Sequence, residues 1–409
     1  MKRITVLISL VALVASTALA DPPRIVRRPG PLEFGRGKLT TLPPYDPTRA
    51  EQPDQMDLRS YDLTAFDLKG REKDLVFAMF DSKTRWPVSI KSLKSFKPDR
   101  FMELGKSPGL GVRGLHAKGI TGKGVSIAII DQPLLVDHIE YKDRMRMYDE
   151  IGCWNNNAEM HGPAVASIAV GKTVGVAPGA DLYYIATYAF RDDTPEGSRD
   201  FANYAKAVDR IVEVNRSLPK DRKIRAISMS VGWGQEEKGY DAIVKAVERA
   251  KKEGIFVVSS SLLETYQEDR MCCLGLGREP LADPDKADSY RPGLFWERMF
   301  LDNYTDDAEK DPMKHLKPWL LVPMDSRCTA GPTGDEDYAF YRTGGLSWSV
   351  PYLAGLYALA CQVRPDITPS EFWKAALATG DTIEFERASK KYKLEKIVNP
   401  AKLIEKIKG

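Results

Sequence analysis

A glycine-flanked serine opens a long apolar run at Gly344-Gly345-Leu346-Ser347-Trp348-Ser349-Val350-Pro351, and the stretch from Tyr352 to Cys361 reads as a buried helix. Such a position sets the Ser347 hydroxyl beside backbone N–H groups that have no intrahelical partner, where developing negative charge is stabilised. Upstream, the β-branched run Val125-Ser126-Ile127-Ala128-Ile129-Ile130 stops at Asp131. It reads as a buried parallel strand that delivers a carboxylate at its C-terminal edge, where open α/β sheets place their sites. Between the two, His161-Gly162-Pro163-Ala164-Val165-Ala166-Ser167 starts a helix of small and apolar residues with one of only 4 histidines in the chain. Hydroxyl, imidazole and carboxylate together are the parts of nucleophilic acyl transfer. The serine attacks a carbonyl, the imidazole takes its proton, and the carboxylate fixes the imidazole's tautomer and stabilises the imidazolium. Ser347 is thus the candidate nucleophile, His161 the general base and Asp131 its orienting partner. Each has a plainer role when taken alone: helix cap, core histidine, strand-end aspartate.

Longer matches surround all three residues. Gly345 to Gly355 is similar to the G-T-S-M-A-x-P-H-V-A-G segment of subtilisin-like serine peptidases, with glycine, serine, proline and the closing Ala354-Gly355 in register. His161 to Gly171 resembles that family's H-G-T-H-V-A-G-x-x-A-G, and Val174 to Leu182 its G-V-A-P-x-A-x-L. The order Asp, His, Ser is also the subtilisin order. The resemblance covers roughly residues 108 to 380. It implies an α/β three-layer sandwich with a mostly parallel sheet flanked by helices, and hydrolysis of peptide bonds through a seryl acyl-enzyme. Ala226-Ile227-Ser228-Met229-Ser230-Val231-Gly232 resembles the family's I-N-M-S-L-G. By that likeness Ser230, Val231 and Gly232 are substrate contacts walling the main specificity pocket, and Gly232 permits close backbone approach.

One departure is specific. The family supplies an oxyanion-hole donor from an asparagine after a buried strand, typically V-V-A-A-A-G-N; here Gly254-Ile255-Phe256-Val257-Val258-Ser259-Ser260-Ser261-Leu262-Leu263 puts Leu263 at that place. Losing such a donor costs roughly 10²–10³ in turnover. Ser261 or Thr265 could replace it, the enzyme could be slow, or the chain could be a catalytically impaired relative that binds peptides or regulates another peptidase. The Ser347 backbone can still supply the other half of the hole. Gln132-Pro133 after Asp131, Pro163-Ala164 after His161, and Trp348 and Ser349 beside the nucleophile alter the pocket without removing a triad group.

The chain has 409 residues, enough for one large domain and an extension, and 43% apolar residues to build a core. A formal net charge of +3 implies neither nucleic acid nor an anionic membrane as partner, and the partner that the resemblance implies is a protein or peptide substrate. Lys2-Arg3, the apolar run from Ile4, and Ala18-Leu19-Ala20 before Asp21 have the form of a signal peptide over residues 1–20, so a secreted or periplasmic protein is expected. In an oxidising compartment the five cysteines, Cys153, Cys272, Cys273, Cys328 and Cys361, leave at least one unpaired, and Cys361 reads as a buried thiol. No metal-ligand spacing is present and no cofactor is expected. Asp302-Asn303 and Asp306-Asp307 could ligate calcium, but a solvated acidic loop explains them more simply.

Residues 21–105 read as an N-terminal extension or propeptide, 106–385 as the peptidase domain and 386–409 as a C-terminal tail helix. Asp21 to about Tyr45, rich in proline, arginine and glycine, reads as poorly ordered. Asp57-Leu58, Asp62-Leu63 and Asp67-Leu68 recur every five residues, with too few units for a pentapeptide-repeat coil, and Leu75 to Phe80 reads as a strand. His116 and His138 are expected to be structural or exposed. Phe201, Ala205, Val208 and Val212 mark one helix face, and Ile243, Val247 and Ala250 the next. This alternation of strands and helices predicts a parallel sheet covered on both faces.

Overall fold

The computed structural model describes residues 22–49, 55–190, 199–297, 318–387 and 389–409. The signal-peptide reading at 1–20 and the Asp302 and Asp306 pairs lie outside these residues.

The segment read as poorly ordered lies docked instead. Tyr148 N donates to Arg24 O (3.1 Å) and Val26 N to Tyr148 O (2.9 Å), while Gly30 exchanges backbone bonds with Asn156 and Ala158. A proline-rich stretch has few backbone donors, so its order comes from these borrowed partners and not from a structure of its own. The five-residue recurrence proves to be three like turns. Each aspartate, Asp57, Asp62 and Asp67, accepts from the N–H two residues on (3.1, 2.9 and 3.0 Å). Each following leucine, Leu58, Leu63 and Leu68, is 0% exposed. The expected strand from Leu75 to Phe80 does not form as such: Leu75 ends a helical turn (Glu72–Leu75), Val76 and Phe77 make a turn, and only Phe80 enters a strand, the two-residue β1 (Phe80–Asp81). A short apolar run buries equally well in either form, so periodicity could not separate them.

β2 (Ser126–Asp131), β3 (Met145–Glu150), β4 (Asp181–Ala186), β5 (Ile224–Met229) and β6 (Phe256–Ser259) form one sheet in the order β3-β4-β2-β5-β6, all parallel. Alternate residues leave a strand on opposite faces. Accordingly Ile127, Ile129, Tyr184, Ala226 and Val258 pack into one core with helices His161–Val170 and Leu346–Val363. Ala128, Ile130, Ile185, Ile227 and Val257 enter the other, beneath helices Ala202–Ser217 and Tyr240–Lys252. The result is the expected three-layer α/β sandwich, and the two predicted helix faces are the buried ones.

Beyond it, β7 (Cys273–Arg278), β8 (Tyr290–Pro292) and β9 (Leu320–Pro323) join a second sheet, while β10 (Arg327–Ala330) and β11 (Tyr338–Tyr341) pair with β1 in a third. The expected tail helix over 386–409 is corrected. β12 (Asp381–Arg387) runs through the boundary placed at 385 and pairs with β13 (Lys390–Ile397), and only Pro400–Lys408 is helical. Tyr392, Leu394 and Ile397 face the core from a strand crowded with lysines, and those charges hid the apolar face. All five cysteines are free thiols, with Cys361 buried as expected.

Candidate active site

Asp131 ends β2 between β4 and β5 and is 3% exposed. Thr187 N, just past β4, donates to its carbonyl (2.8 Å), and Gln132 N donates to Oδ1 (2.8 Å). The same Oδ1 lies 2.7 Å from Nδ1 of His161, the first residue of its helix. A carboxylate only accepts, so Nδ1 carries the proton and Nε2 presents its lone pair. Nε2 has no hydrogen-bond partner among the described residues. Burial pushes the imidazole's pKa down, but the charge and hydrogen bond of Asp131 outweigh it, and the net shift is upward.

Gly162 makes this approach possible. A Cβ there would stand 2.3 Å from Gln132 O and 2.7 Å from the Tyr184 hydroxyl, which itself bonds Gln132 O. Gly162→Ala is therefore expected to destabilise the fold by about 1–3 kcal/mol, the usual cost of overpacking. Thermal unfolding checks this, and an unchanged midpoint would show that the loop after Asp131 yields freely.

Ser347 is the second residue of its helix and is half-buried. Pro351, four residues on, has no N–H to give to the Ser347 carbonyl. That carbonyl instead accepts from Ser230 Oγ (2.9 Å), and Ser347 Oγ donates back to Ser230 O (3.2 Å). The reciprocal pair locks the start of the helix to the end of β5. Sequence reading placed Ser230 only against substrate; the serine-to-proline spacing of four was the signal for this other role. The Leu346 and Ser347 N–H groups have no hydrogen-bond partner among the described residues. They are the donors a developing anion would meet. The Ser347 and His161 helices cross at Gly355, where a Cβ would stand 2.7 Å from Val176 Cβ and 3.1 Å from Ala169 O. This close crossing brings the two helix starts to one side of the sheet, and the His161 ring lies 5.3 Å from the ring of Trp348.

Leu263 sits in the short helix Leu262–Thr265 after β6. Neither proposed substitute donor is free. Ser261 Oγ accepts from Trp233 N (2.9 Å) and faces Trp233 O (3.2 Å), while Thr265 Oγ1 donates to Ser261 O (2.9 Å). Along the expected substrate edge, Val231 O accepts from Ser260 N (3.1 Å) and Gly232 O from Arg199 Nη1 (3.0 Å). His116 and His138 are structural: their Nε2 atoms bond Val176 O (2.8 Å) and Asp337 O (2.9 Å).

The Subtilase family model matches residues 122–261, a span that holds Asp131 and His161 and stops before Ser347. Serine protease AprX of Bacillus subtilis is 24% identical over 298 residues, covering 63% of this chain and 61% of that protein. Alkaline protease 1 of Aspergillus clavatus is 30% identical over 149 residues, covering 34% and 35%. A probable subtilase-type serine protease of Deinococcus radiodurans is 24% identical over 392 residues, covering 85% and 50%. The chain thus spans between 35% and 61% of the length of these curated relatives. Among solved structures, the prenylagaramide maturation protease PagA aligns with a TM-score of 0.48 at 15% identity, over 73% of this chain and 99% of that one. A cold adapted subtilisin-like serine proteinase aligns at 0.42 and 17% identity, over 64% and 83%. The family match lies over the strand and helix that carry Asp131 and His161, and the curated relatives are named as serine proteases, so residues 122–261 form a stretch similar to the subtilase family.

Proposed function

We propose that the protein is an exported serine endopeptidase that cleaves peptide bonds through Ser347, His161 and Asp131. The observation that carries this reading is the 2.7 Å Asp131–His161 contact, which leaves Nε2 without a partner among the described residues while the ring lies 5.3 Å from that of Trp348, the residue after Ser347. In the resting arrangement the Ser347 hydroxyl is turned to Ser230 O. Catalytic hydrogen bonds are often unmade without substrate. On substrate binding Oγ turns to Nε2, gives up its proton and attacks the scissile carbonyl. The oxyanion gathers at the Ser347 N–H, and His161 returns the proton to the leaving amine. Water then repeats the sequence to release the acyl group. Ser230, Val231 and Gly232 wall the substrate's side of the cleft, and the signal-peptide pattern at 1–20 directs export. Among the described residues no helix is long and apolar enough to cross a membrane.

The test is fluorophosphonate labelling of the purified protein, with the adduct located by mass spectrometry. A label on Ser347 supports the reading. No label moves the assignment to a peptide-binding relative, the reading that Leu263 favours. Because the Ser261 and Thr265 hydroxyls are engaged, Leu263→Asn is expected to raise turnover on the order of 10-fold or more, up to the 10²–10³ such a donor is worth. Steady-state kinetics on a peptide substrate checks it. No gain would mean that the donor comes from elsewhere.

A further inference from the structure

The His161 ring is held between two neighbours. Asp131 bonds one edge, and the Trp348 indole packs against the ring with centroids 5.3 Å apart at a 40° tilt. Trp348 is itself 4% exposed and takes the Tyr341 ring edge-to-face at 5.3 Å and 74°. Behind Tyr341 stands Arg59. Its Nη1 donates to the Tyr341 hydroxyl (3.4 Å), and its guanidinium lies 5.6 Å from the ring centroid. Arg59 belongs to the N-terminal extension. Two 2.9 Å bonds to Asp57 hold it, and Asp57 is held in turn by Arg36 at 2.8 Å. A continuous line of packed groups therefore runs from the extension to the candidate base.

The extension grips the body at two more places. β1 pairs antiparallel with β11, Phe80 opposite Phe340, and Phe80, Phe96 and Phe101 enclose Phe340 and Cys328 in one core. Separately, Arg27 pairs with Glu150 and donates to the carbonyls of Asn155 and Asn156, in the loop that leads to His161. Removing the extension would open the β11 edge, strip cover from Phe340, and withdraw the support behind Tyr341. An exposed strand edge and a bared aromatic core are both penalised in water.

We propose that residues 22–105 are a permanent part of the working protein, and that Arg59, acting through Tyr341 and Trp348, is a positioning residue for His161. The inference rests on His161 being the catalytic base. A misplacement of about 1 Å can cost 10²-fold in rate. The full chain is labelled with fluorophosphonate and its intact mass determined. The labelled species is expected to retain residues 22–105; a labelled species beginning past residue 105 overturns the proposal. Arg59→Ala is expected to slow labelling about 10-fold or more and to lower kcat without raising KM. Tyr341→Phe, which keeps the ring against Trp348, should stay within about 3-fold of the unaltered chain, a split that general loss of stability would not produce. If Arg59→Ala does not fold, Tyr341→Leu takes its place, since it keeps bulk but loses the ring edge. Equal rates in all variants refute the relay. A wild-type chain that takes no label defeats the peptidase reading alone. In that case the His161 ring resonances decide the relay: they shift in Arg59→Ala and hold in Tyr341→Phe if the contact is real, and unmoved resonances in both reject it.

Discussion

Ser347→Ala is expected to abolish peptide hydrolysis and fluorophosphonate labelling while leaving the fold intact. The lost hydroxyl makes one hydrogen bond, to Ser230 O at 3.2 Å. Its removal should cost no more than about 1 kcal/mol of stability. The reciprocal bond from Ser230 Oγ runs to the Ser347 carbonyl, which the substitution keeps. Catalysis is another matter. Nucleophile and base act as a unit, and removing the nucleophile from such a unit costs on the order of 10⁶ in kcat. The prediction is therefore a near-wild-type unfolding midpoint together with activity at background. Full hydrolysis in the variant would sink the assignment of the nucleophile.

Asp131→Asn should cost about 10⁴ in kcat, because an amide can donate to Nδ1 and so favours the wrong tautomer of His161. It also carries a pH signature whose sign can be worked out. In the unaltered protein burial lowers the His161 pKa, Asp131 raises it, and the second effect prevails. The base works when neutral, so kcat/KM falls as pH drops through this raised value. Replacing Asp131 removes the raising effect and leaves the burial, so the acid limb should move to lower pH while the plateau collapses. A limb that stays in place would show that another group titrates in that range. The same shift bears on stability. The contribution of protonated His161 is present below its unfolded pKa, about 6.5, and is lost as pH rises through the folded value.

The candidate site was legible because its chemistry is tied to local elements. A β-branched run ending at Asp131 forms a strand that ends there, and His161 and Ser347 each open a helix, as their glycine and small-residue neighbours require. The unbroken apolar run of β2, the succession of strands and helices, and helical spacing at Val208, Val212, Ile243 and Val247 pointed to a sheet covered on both faces. The C-terminal hairpin was hidden because Lys390, Lys391 and Lys393 surround its buried Tyr392 and Leu394. Local composition there matched an exposed helix as readily as a strand.

What the sequence by itself determined is the set of candidate groups and their order, which follow from residue type and short-range spacing, with Leu263 standing where the family resemblance puts an amide donor. Tertiary structure alone decided how those groups are held. The reciprocal Ser230–Ser347 bonds, the engaged hydroxyls of Ser261 and Thr265, and the stack from Arg59 through Tyr341 and Trp348 to His161 join residues up to 282 positions apart. Periodicity reports which face of an element is buried. It says nothing about which distant side chain meets that face, because the meeting is set by how sheet, helices and extension pack together.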